Sequence, residues 1–394
     1  MKIESIEALP VRLPRDLEGA RRTAGSPTLL EAATSDYRWS AVFPALYSIH
    51  FETALIKVAT NEGLTGWGEA QAPLAPEVAC TIIERLLKPA LLGAEFDGTV
   101  AGIRELWRRM YSTMRVRGQT GGFMLDAISG VDLALWDLAG KAQGLPAAKL
   151  IRRDARGKVP AYLSGVPGAT LAERVAAARA RWAGGFRAFK LFHDSTADEL
   201  FATLDALRES LGQETRLAVD ALWRLTPETA PGFCAELDRR NVWFLEAPLP
   251  PEDAPAHGAL AATIHTPLAL GESYRTSFEL APFFRARALG FAQPDLGRTG
   301  ITEGLHIAAL AAEHGVPVVP HVSIALGPQV AAAIHFAASI EDCPFLEFNP
   351  GVLEVANRYL EQPLQVESAH YQAPQGPGLG VEICEAALRA DCLR

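Results

Sequence analysis

The pattern of hydrophobic and polar residues changes character along the chain. Near the N-terminus, apolar and polar residues alternate from Lys2 to Leu13, and a second apolar run extends from Phe51 to Ala59. Alternation with a period of two predicts half-buried β-strands. From Pro76 to Gly144 the pattern becomes helical, and it ends at Gly-Leu-Pro, a typical helix stop. These elements predict an α+β domain over residues 1–150.

From about residue 151, short apolar runs alternate with helical stretches. Eight such runs begin near residues 159, 188, 216, 243, 268, 290, 316 and 345. Even spacing of this kind is typical of repeated strand-helix units, and eight units close into a (β/α)8 barrel. A doubly wound sheet is the alternative, but it does not require eight evenly spaced units. The predicted fold class is therefore α/β, a TIM-type barrel over residues 151–355 with the α+β domain as a cap. The segment 356–394 is expected to pack back on that cap.

A long polar segment, residues 18–44, separates the first two strands and shows no clear period. Loops of this length are uncommon unless they serve a function, so we expect this one to close over the barrel mouth. Arginines at positions 21, 22 and 38, and Arg15 just before the segment, could meet a substrate carboxylate. A solvated surface is the simpler explanation for them.

Composition excludes several classes of protein. With 49% hydrophobic residues the chain can bury a large core, and a net charge of −9 argues against sequence-independent binding to nucleic acid or an anionic membrane. Five cysteines without CxxC spacing suggest a reducing compartment, and Met1 to Asp16 lacks the apolar stretch of a signal peptide. The uncharged stretch from Val316 to Ile340 contains prolines and histidines, so a membrane span is not expected. We expect a cytoplasmic homo-oligomer that binds a small molecule.

Three of the predicted barrel strands end in a carboxylate. Asp220, Glu246 and Glu272 follow one another at intervals of 26 residues, which is one strand-helix unit each. Because active sites of such barrels lie at the C-terminal ends of the strands, the three side chains should converge there. Clustered anions repel one another unless a cation neutralises them, and oxygen ligands without thiols favour Mg2+. The sequence therefore predicts a Mg2+ site.

Further polar residues continue at a similar spacing. Asp295 and His321 fall at the ends of the sixth and seventh predicted strands, where a carboxylate can fix one imidazole tautomer and raise its basicity. Glu347 lies at the eighth strand. Lys190 lies within an apolar run on the second strand, where no structural role requires a lysine. These four residues are the candidate catalytic groups.

The order of these residues resembles the enolase superfamily, specifically the mandelate racemase/muconate lactonizing enzyme family and its mandelate racemase subgroup. The resemblance covers nearly the whole chain and includes the motifs LEAPLPPED, GES, QPDLGRTGITE and SGVDLALWDLAGKAQGLP. It implies a modified, enolase-like barrel that removes the proton α to a carboxylate. It also implies roles for the candidate residues: Asp220, Glu246 and Glu272 as Mg2+ ligands, His321 as the base, Asp295 as its partner, and Glu347 at the substrate carboxylate.

One departure from the family pattern affects the expected reaction. The family usually carries Lys-x-Lys on strand two, whereas this chain has Lys190-Leu191-Phe192. Racemisation of the mandelate type needs one base on each face of the substrate, and the second base is missing here. His193 could replace it only if the strand bulged, because alternation places it on the opposite face from Lys190.

We therefore expect an acid-sugar dehydratase that forms a 2-keto-3-deoxy acid with a single histidine. A racemase, an epimerase or a lactone cycloisomerase of the same superfamily is the alternative, and a non-catalytic ligand-binding barrel is the alternative from a different class. Phe192, His193 and Trp223 are candidate substrate-binding residues. The sequence does not identify the sugar.

Overall fold

The computed structural model describes residues 1–15, 35–40 and 45–391. Its N-terminal part contains an antiparallel sheet of three strands in the order β1-β4-β5. A short two-stranded ladder of β2 and β3 lies between β1 and β4 in the sequence. The strands are β1 (Ile3–Pro14), β2 (Tyr37–Trp39), β3 (Leu46–Ser48), β4 (His50–Thr60) and β5 (Thr65–Ala70).

The predicted helical region is divided into several helices. They are α1 (Pro76–Ile82), which continues as a π-helix over Ile83–Leu87, α2 (Lys88–Leu91), α3 (Val100–Ser112), α4 (Gly122–Gln143) and α5 (Ala147–Ile151). All of α4 from Met124 to Gly140 is buried. This stretch is mostly apolar and is buried on all sides because α4 packs both on β5 and on a barrel helix.

The barrel contains the eight predicted strand positions. Seven are strands: β6 (Lys158–Ser164), β7 (Ala188–Phe192), β8 (Arg216–Asp220), β9 (Leu245–Glu246), β10 (Leu268–Leu270), β11 (Phe291–Ala292) and β12 (Leu346–Phe348). The seventh position forms only isolated parallel bridges, from Val318 to Ala292 and from His321 to Asp295. Pro317 and Pro320 lack the N–H that a regular ladder requires. The barrel closes where β12 pairs with β6.

Helices follow the strands on the outside of the barrel. They are α6 (Leu171–Ala183), α7 (Ala197–Leu211), α8 (Ala230–Arg239), α9 (Ala254–Ala261), α10 (Ser277–Arg285), α11 (Leu296–Glu313), α12 (Gly327–Ser339) and α13 (Pro350–Ala356). Inside, small and aromatic side chains fill the barrel together; they are Tyr162, Ala188, Ala218, Phe244, Ala269 and Val319. Because this layer is closed, a ligand can reach the barrel only from the strand ends.

The C-terminal segment contacts both parts of the molecule. It forms β13 (Val366–Glu367), β14 (His370–Gln372) and α14 (Glu385–Asp391), and β14 pairs antiparallel with the start of β6. On the N-terminal sheet, Lys57 Nζ lies 2.6 Å from Glu385 Oε2. In the described part of the chain, no helix has the length and apolar character needed to cross a membrane.

The predicted lid over residues 18–44 lies outside the described residues, apart from 35–40. Within that short piece, Tyr37–Trp39 forms β2, which the aperiodic pattern did not predict. Three residues are too few to show a period. The Tyr37 hydroxyl lies 3.1 Å from Glu52 Oε2, which joins β2 to β4.

We expect Gly68→Ala to destabilise the fold. A Cβ at Gly68 would lie 2.0 Å from the carbonyl oxygen of Gly130 and 2.6 Å from the amide nitrogen of Ala134, so β5 and α4 would have to separate. Overpacking of this kind typically costs about 1–3 kcal/mol. Thermal melting followed by circular dichroism measures the loss. The control is Gly232→Ala in α8, where a Cβ meets nothing within 4 Å. It should keep or raise the melting temperature, and an equal loss in both variants would contradict the packing explanation.

Candidate active site

The strand ends bring the predicted carboxylates together. Asp220 and Glu246 are the last residues of β8 and β9 and pair directly with each other in the sheet register. Glu272 follows β10 by two residues. Asp220 and Glu272 line a cavity of about 350 Å³ between the barrel and the N-terminal domain. This volume is within the range of small-molecule sites.

The backbone is strained just after two of these carboxylates. Leu222 and Trp223 have φ values of 55° and 57°, and Ala247 has a φ of 46°. Residues with side chains rarely adopt this left-handed conformation, and such strain tends to concentrate at functional sites. The turn allows Asp220 Oδ1 to accept a hydrogen bond of 2.9 Å from the Leu222 amide. Trp223 Nε1 donates to Glu272 Oε1 at 3.0 Å. The turn after β8 therefore orients two of the three carboxylates.

Lys190 is fully buried at the centre of the cluster. Its Nζ lies 2.8 and 2.9 Å from the two oxygens of Glu246, 2.8 Å from Glu347 Oε1 and 3.8 Å from Asp220 Oδ2. Burial alone would lower the pKa of Lys190, but the attraction of Glu246 and Glu347 raises it well above its usual value. Lys190 is therefore a charged ammonium that holds the ends of three strands together.

Asp295 and His321 form a buried hydrogen-bonded pair. His321 Nδ1 donates to Asp295 Oδ2 at 2.8 Å, while Asp295 Oδ1 accepts from the Gly297 amide and from Gln329 Nε2, both at 2.9 Å. Asp295 thus has partners for both oxygens and fixes the tautomer of the imidazole. His321 Nε2 lies on the cavity side, 3.1 Å from Glu272 Oε2. This nitrogen is the one available to act on a ligand.

The carboxylates respond differently to burial. Burial, reinforced by the charge of Glu246, raises the pKa of Asp220 well above its usual value. Burial also raises the pKa of Glu246, although Lys190 opposes the shift. Burial would raise the pKa of Glu272 as well, but His321 more than offsets it and the pKa falls to about 2. Lys190 and His321 similarly lower the pKa of Glu347 against the effect of its burial. The cluster therefore contains more carboxyl groups than Lys190 alone can pair, and burial disfavours the ionised forms of Asp220 and Glu246.

The donor set fits a hard divalent cation. One oxygen from each of Glu246 and Glu272 and one nitrogen of His321 lie within 4.8 Å of one another. Asp220 is outside this closest group, but it faces the same cavity and its pKa reflects the charge of Glu272. An added cation would allow all these carboxylates to ionise, which burial otherwise opposes. Carboxylate oxygens without thiols suit Mg2+.

The remaining predicted site residues differ in position. Phe192 lines the cavity, and its ring centroid lies 5.5 Å from Lys190 Nζ, so an apolar ring occupies the place of the missing second lysine. The structure does not bring His193 to the cavity. Its ring packs on Phe233 with centroids 4.9 Å apart, and burial lowers its pKa to about 4. Trp223 contacts the site through Glu272.

Sequence reasoning missed several residues of the site. Gln293 is buried, and its Nε2 donates to Glu246 Oε2 at 2.6 Å. It lies two residues before Asp295 within the QPD motif, which was the available signal. Gln71 reaches the cavity from the N-terminal domain and binds Ser323 Oγ. Arg15 also lines the cavity, whereas the simpler expectation placed it on a solvated surface.

Two family models match the chain. The model described as Enolase C-terminal domain-like matches residues 173–387, and the mandelate racemase / muconate lactonizing enzyme N-terminal domain matches residues 35–152. The D-galactarolactone cycloisomerase of Agrobacterium fabrum is 32% identical over 347 residues, covering 85% of this chain and 89% of that protein. The D-galactonate dehydratase of Ralstonia pickettii is 33% identical over 352 residues, covering 84% and 89% respectively.

Solved structures agree over the full length. A member of the enolase superfamily from Agrobacterium tumefaciens has a TM-score of 0.92 at 32% identity and covers 100% of this chain and 99% of that chain. A racemase from Streptomyces coelicolor A3(2) with bound magnesium has a TM-score of 0.82 at 26% identity, with coverage of 99% and 100%. The predicted fold class, a TIM-type barrel with an N-terminal cap, is confirmed. The chain belongs to the mandelate racemase/muconate lactonizing enzyme family of the enolase superfamily.

Proposed function

We propose that the protein is a Mg2+-dependent dehydratase of a sugar acid. The observation that carries this proposal is the asymmetry of the cavity. One complete histidine-aspartate pair faces it, and Phe192 occupies the position of a second base. One histidine can remove a proton and return it to a leaving group, whereas racemisation of the mandelate type requires bases on both faces.

The proposed reaction begins at the carbon next to the substrate carboxylate. His321 Nε2 takes the proton from this carbon, and the electron pair of the broken C–H bond moves toward the carboxylate. The same imidazolium then protonates the β-hydroxyl, the C–O bond breaks and water leaves. The resulting enol tautomerises to the 2-keto-3-deoxy acid, so one substrate yields one keto acid and one water. Asp295 stabilises the imidazolium that exists between the two proton transfers.

Asp220, Glu246 and Glu272 are the proposed Mg2+ ligands, and Gln293 orients Glu246. The bound ion would supply positive charge that stabilises the negative charge developing on the substrate carboxylate. Lys190 contributes positive charge at the same end of the cavity, and Glu347 lies beside it, where its contact of 2.8 Å positions the ammonium. Phe192 excludes water from the opposite face.

The names of the relatives support a sugar acid as substrate and also indicate a second candidate reaction. Two of them are named D-galactonate dehydratase and arabinonate dehydratase, and another is named D-galactarolactone cycloisomerase at nearly the same identity. A lactone cycloisomerase is therefore the second candidate function. Incubation in D2O with analysis of recovered substrate and product separates the reactions. A dehydratase releases water and gives a keto acid, whereas an epimerase gives the α-epimer with deuterium at the inverted carbon. A lactone cycloisomerase gives a product with the same mass as its substrate, apart from exchanged deuterium, because no water leaves.

We also propose that the protein works as a cytoplasmic homo-oligomer. The cysteine content supports a reducing compartment. The exposed apolar side chains of Val116, Phe123 and Phe278 support self-association, since exposed apolar residues are enriched where subunits meet. Light scattering coupled to size-exclusion chromatography measures the molar mass against the 42.3 kDa of one chain.

Glu246→Gln is expected to weaken Mg2+ binding by more than about 100-fold, because even residues that only orient a ligand typically contribute 10–100-fold. Isothermal titration calorimetry with MgCl2 measures the affinity. The matched control is His321→Asn, which removes the nitrogen closest to the carboxylates but none of the proposed ligands. Unchanged affinity in Glu246→Gln would refute the ligand assignment. Equal losses in both variants would make His321 a ligand rather than the base.

His321→Asn is expected to reduce kcat by about 10²–10⁴-fold, the usual contribution of a general acid-base residue. It should also stop exchange of the substrate α-proton with D2O, measured by proton NMR, because no second base faces the substrate. Asp295→Asn should lose less activity, since the imidazole remains but its tautomer is no longer fixed. Exchange at a near wild-type rate in His321→Asn would show that another base exists and would favour the epimerase.

A further inference from the structure

The cavity has two chemically different ends. Its barrel end carries Lys190 and the clustered carboxylates, where the reacting carboxylate of a substrate would bind. Its other wall comes from the N-terminal domain and includes Arg15, the stretch 45–48 and His50. A chain-like sugar acid held at the barrel end would extend its far carbon toward this second wall.

Arg12 and Arg15, at the end of β1, differ in their acidic partners among the described residues. Arg12 lies within β1 and pairs with Glu52 at 3.2 Å and with Glu77 at 3.0 Å. Arg15 directly follows β1 and is partly buried, and no carboxylate among the described residues lies within 4.0 Å of it. Burial lowers the pKa of Arg15, and only the nearby Tyr47 opposes that shift. Within the described part of the chain no anion offsets the desolvation of this guanidinium, and a ligand carboxylate would do so.

Tyr47 connects the two ends of the cavity. Burial raises the pKa of its hydroxyl; the charges of Glu272 and Asp220 add to that shift, and Arg15 opposes it. Tyr47 therefore lies close enough to respond both to the proposed metal ligands and to Arg15. Arg15 is thus part of the same site and not of a separate surface.

We propose that Arg15 binds a second, terminal carboxylate of the substrate, so that the protein acts on a dicarboxylic sugar acid or its monolactone rather than on a monocarboxylic one. This inference rests on the proposed function and specifies its substrate class. A planar guanidinium presents paired N–H donors that match a carboxylate. The hydroxymethyl end of a monocarboxylic acid would leave that charge unbalanced. A terminal phosphate would carry more charge than one guanidinium neutralises.

Matched substrates test the proposal. For several sugar configurations, kcat/KM is measured on three substrates. The monocarboxylic acid and the dicarboxylic acid differ only at the terminal carbon. The third substrate is the monocarboxylic acid with a terminal phosphate. The wild-type protein should prefer the dicarboxylic acid. Arg15→Met should lower kcat/KM on it by about 10- to 100-fold, as expected for one charge-assisted carboxylate contact, with little change on the monocarboxylic acid. Arg15→Lys should lie between, because it keeps the charge but loses the paired donors.

Controls separate a specific contact from a general loss of charge or fold. Arg117→Met removes one positive charge from an exposed turn outside the cavity and should leave both substrates unaffected. A binding measurement independent of turnover uses adipate and hexanoate, which have equal chain length but two carboxylates or one. Adipate should raise the melting temperature of the wild type more than hexanoate does. Arg15→Met should abolish this difference while keeping the melting temperature of the free protein.

Each outcome has one meaning. Preference for monocarboxylic acids with an inert Arg15→Met overturns the inference and leaves the dehydratase proposal intact. Preference for the phosphorylated acid, or an equal loss on all substrates in Arg15→Met, also overturns it. If no sugar acid is turned over with Mg2+ present, the proposed function fails, and the adipate and hexanoate comparison then tests Arg15 by itself.

Discussion

The burial of several carboxylates at one end of the barrel is the constraint on which the rest of the site depends. Asp220, Glu246 and Glu347 are almost inaccessible to solvent, and each would lose most of its hydration if ionised. Lys190 compensates part of this charge by contacting two of them directly. The parallel register of β8 and β9 makes the crowding unavoidable, because it places Asp220 and Glu246 side by side. Burial therefore favours the protonated forms of Asp220 and Glu246, and a bound cation would allow them to ionise together.

The N-terminal domain covers the cavity and also forms hydrogen bonds that position the proposed base. Glu69, on β5, accepts hydrogen bonds from the Leu326 and Gln329 amides at the start of α12, at 2.6 and 3.2 Å. Burial raises the pKa of Glu69 to about 7, although these amides oppose the shift. The side chain of Gln329 then donates to Asp295, which holds His321. A chain of hydrogen bonds thus runs from the N-terminal sheet to the proposed base.

A second connection joins the two parts through α4 and α11. Asp132 on α4 accepts a hydrogen bond of 3.0 Å from the amide of Thr302, and Trp136 Nε1 donates to the Thr302 hydroxyl at 3.0 Å. Gly300 lies two residues before Thr302 on α11 and has a φ of 66°. A Cβ at this position would lie 2.5 Å from the Asp132 carboxylate. This kink allows α11 to begin at Asp295 and still pack on α4. The burial of α4 from Met124 to Gly140 therefore follows from its position between the N-terminal sheet and α11.

The sequence was sufficient where a feature depends on periodicity or on strand ends. The eight barrel positions could be predicted because buried strands are short apolar runs, and the carboxylates because they end those runs. The weak seventh strand could have been foreseen from Pro317 and Pro320. The contact of Gln293 with Glu246 could not, and for Arg15 the sequence left both a substrate contact and a solvated surface open, because each depends on which groups from distant segments lie nearby. An arginine next to a polar segment has the same local pattern whether it faces solvent or a cavity, and its place on the cavity wall separates the two.

The two asymmetries of the cavity have a common consequence for the substrate. His321 and Phe192 both line the cavity, and in the proposed reaction only a substrate face turned toward His321 can lose its α-proton. Of the residues that line the cavity, the clustered carboxylates belong to the barrel and Arg15 to the N-terminal domain. A substrate with one anionic end would be held only at the barrel end of the cavity. A substrate with two anionic ends would, under the proposal, be held at both, so it could not slide along the cavity without losing the contact at Arg15. Fixing both ends would keep the α-carbon within reach of His321, which is the condition that a single base requires.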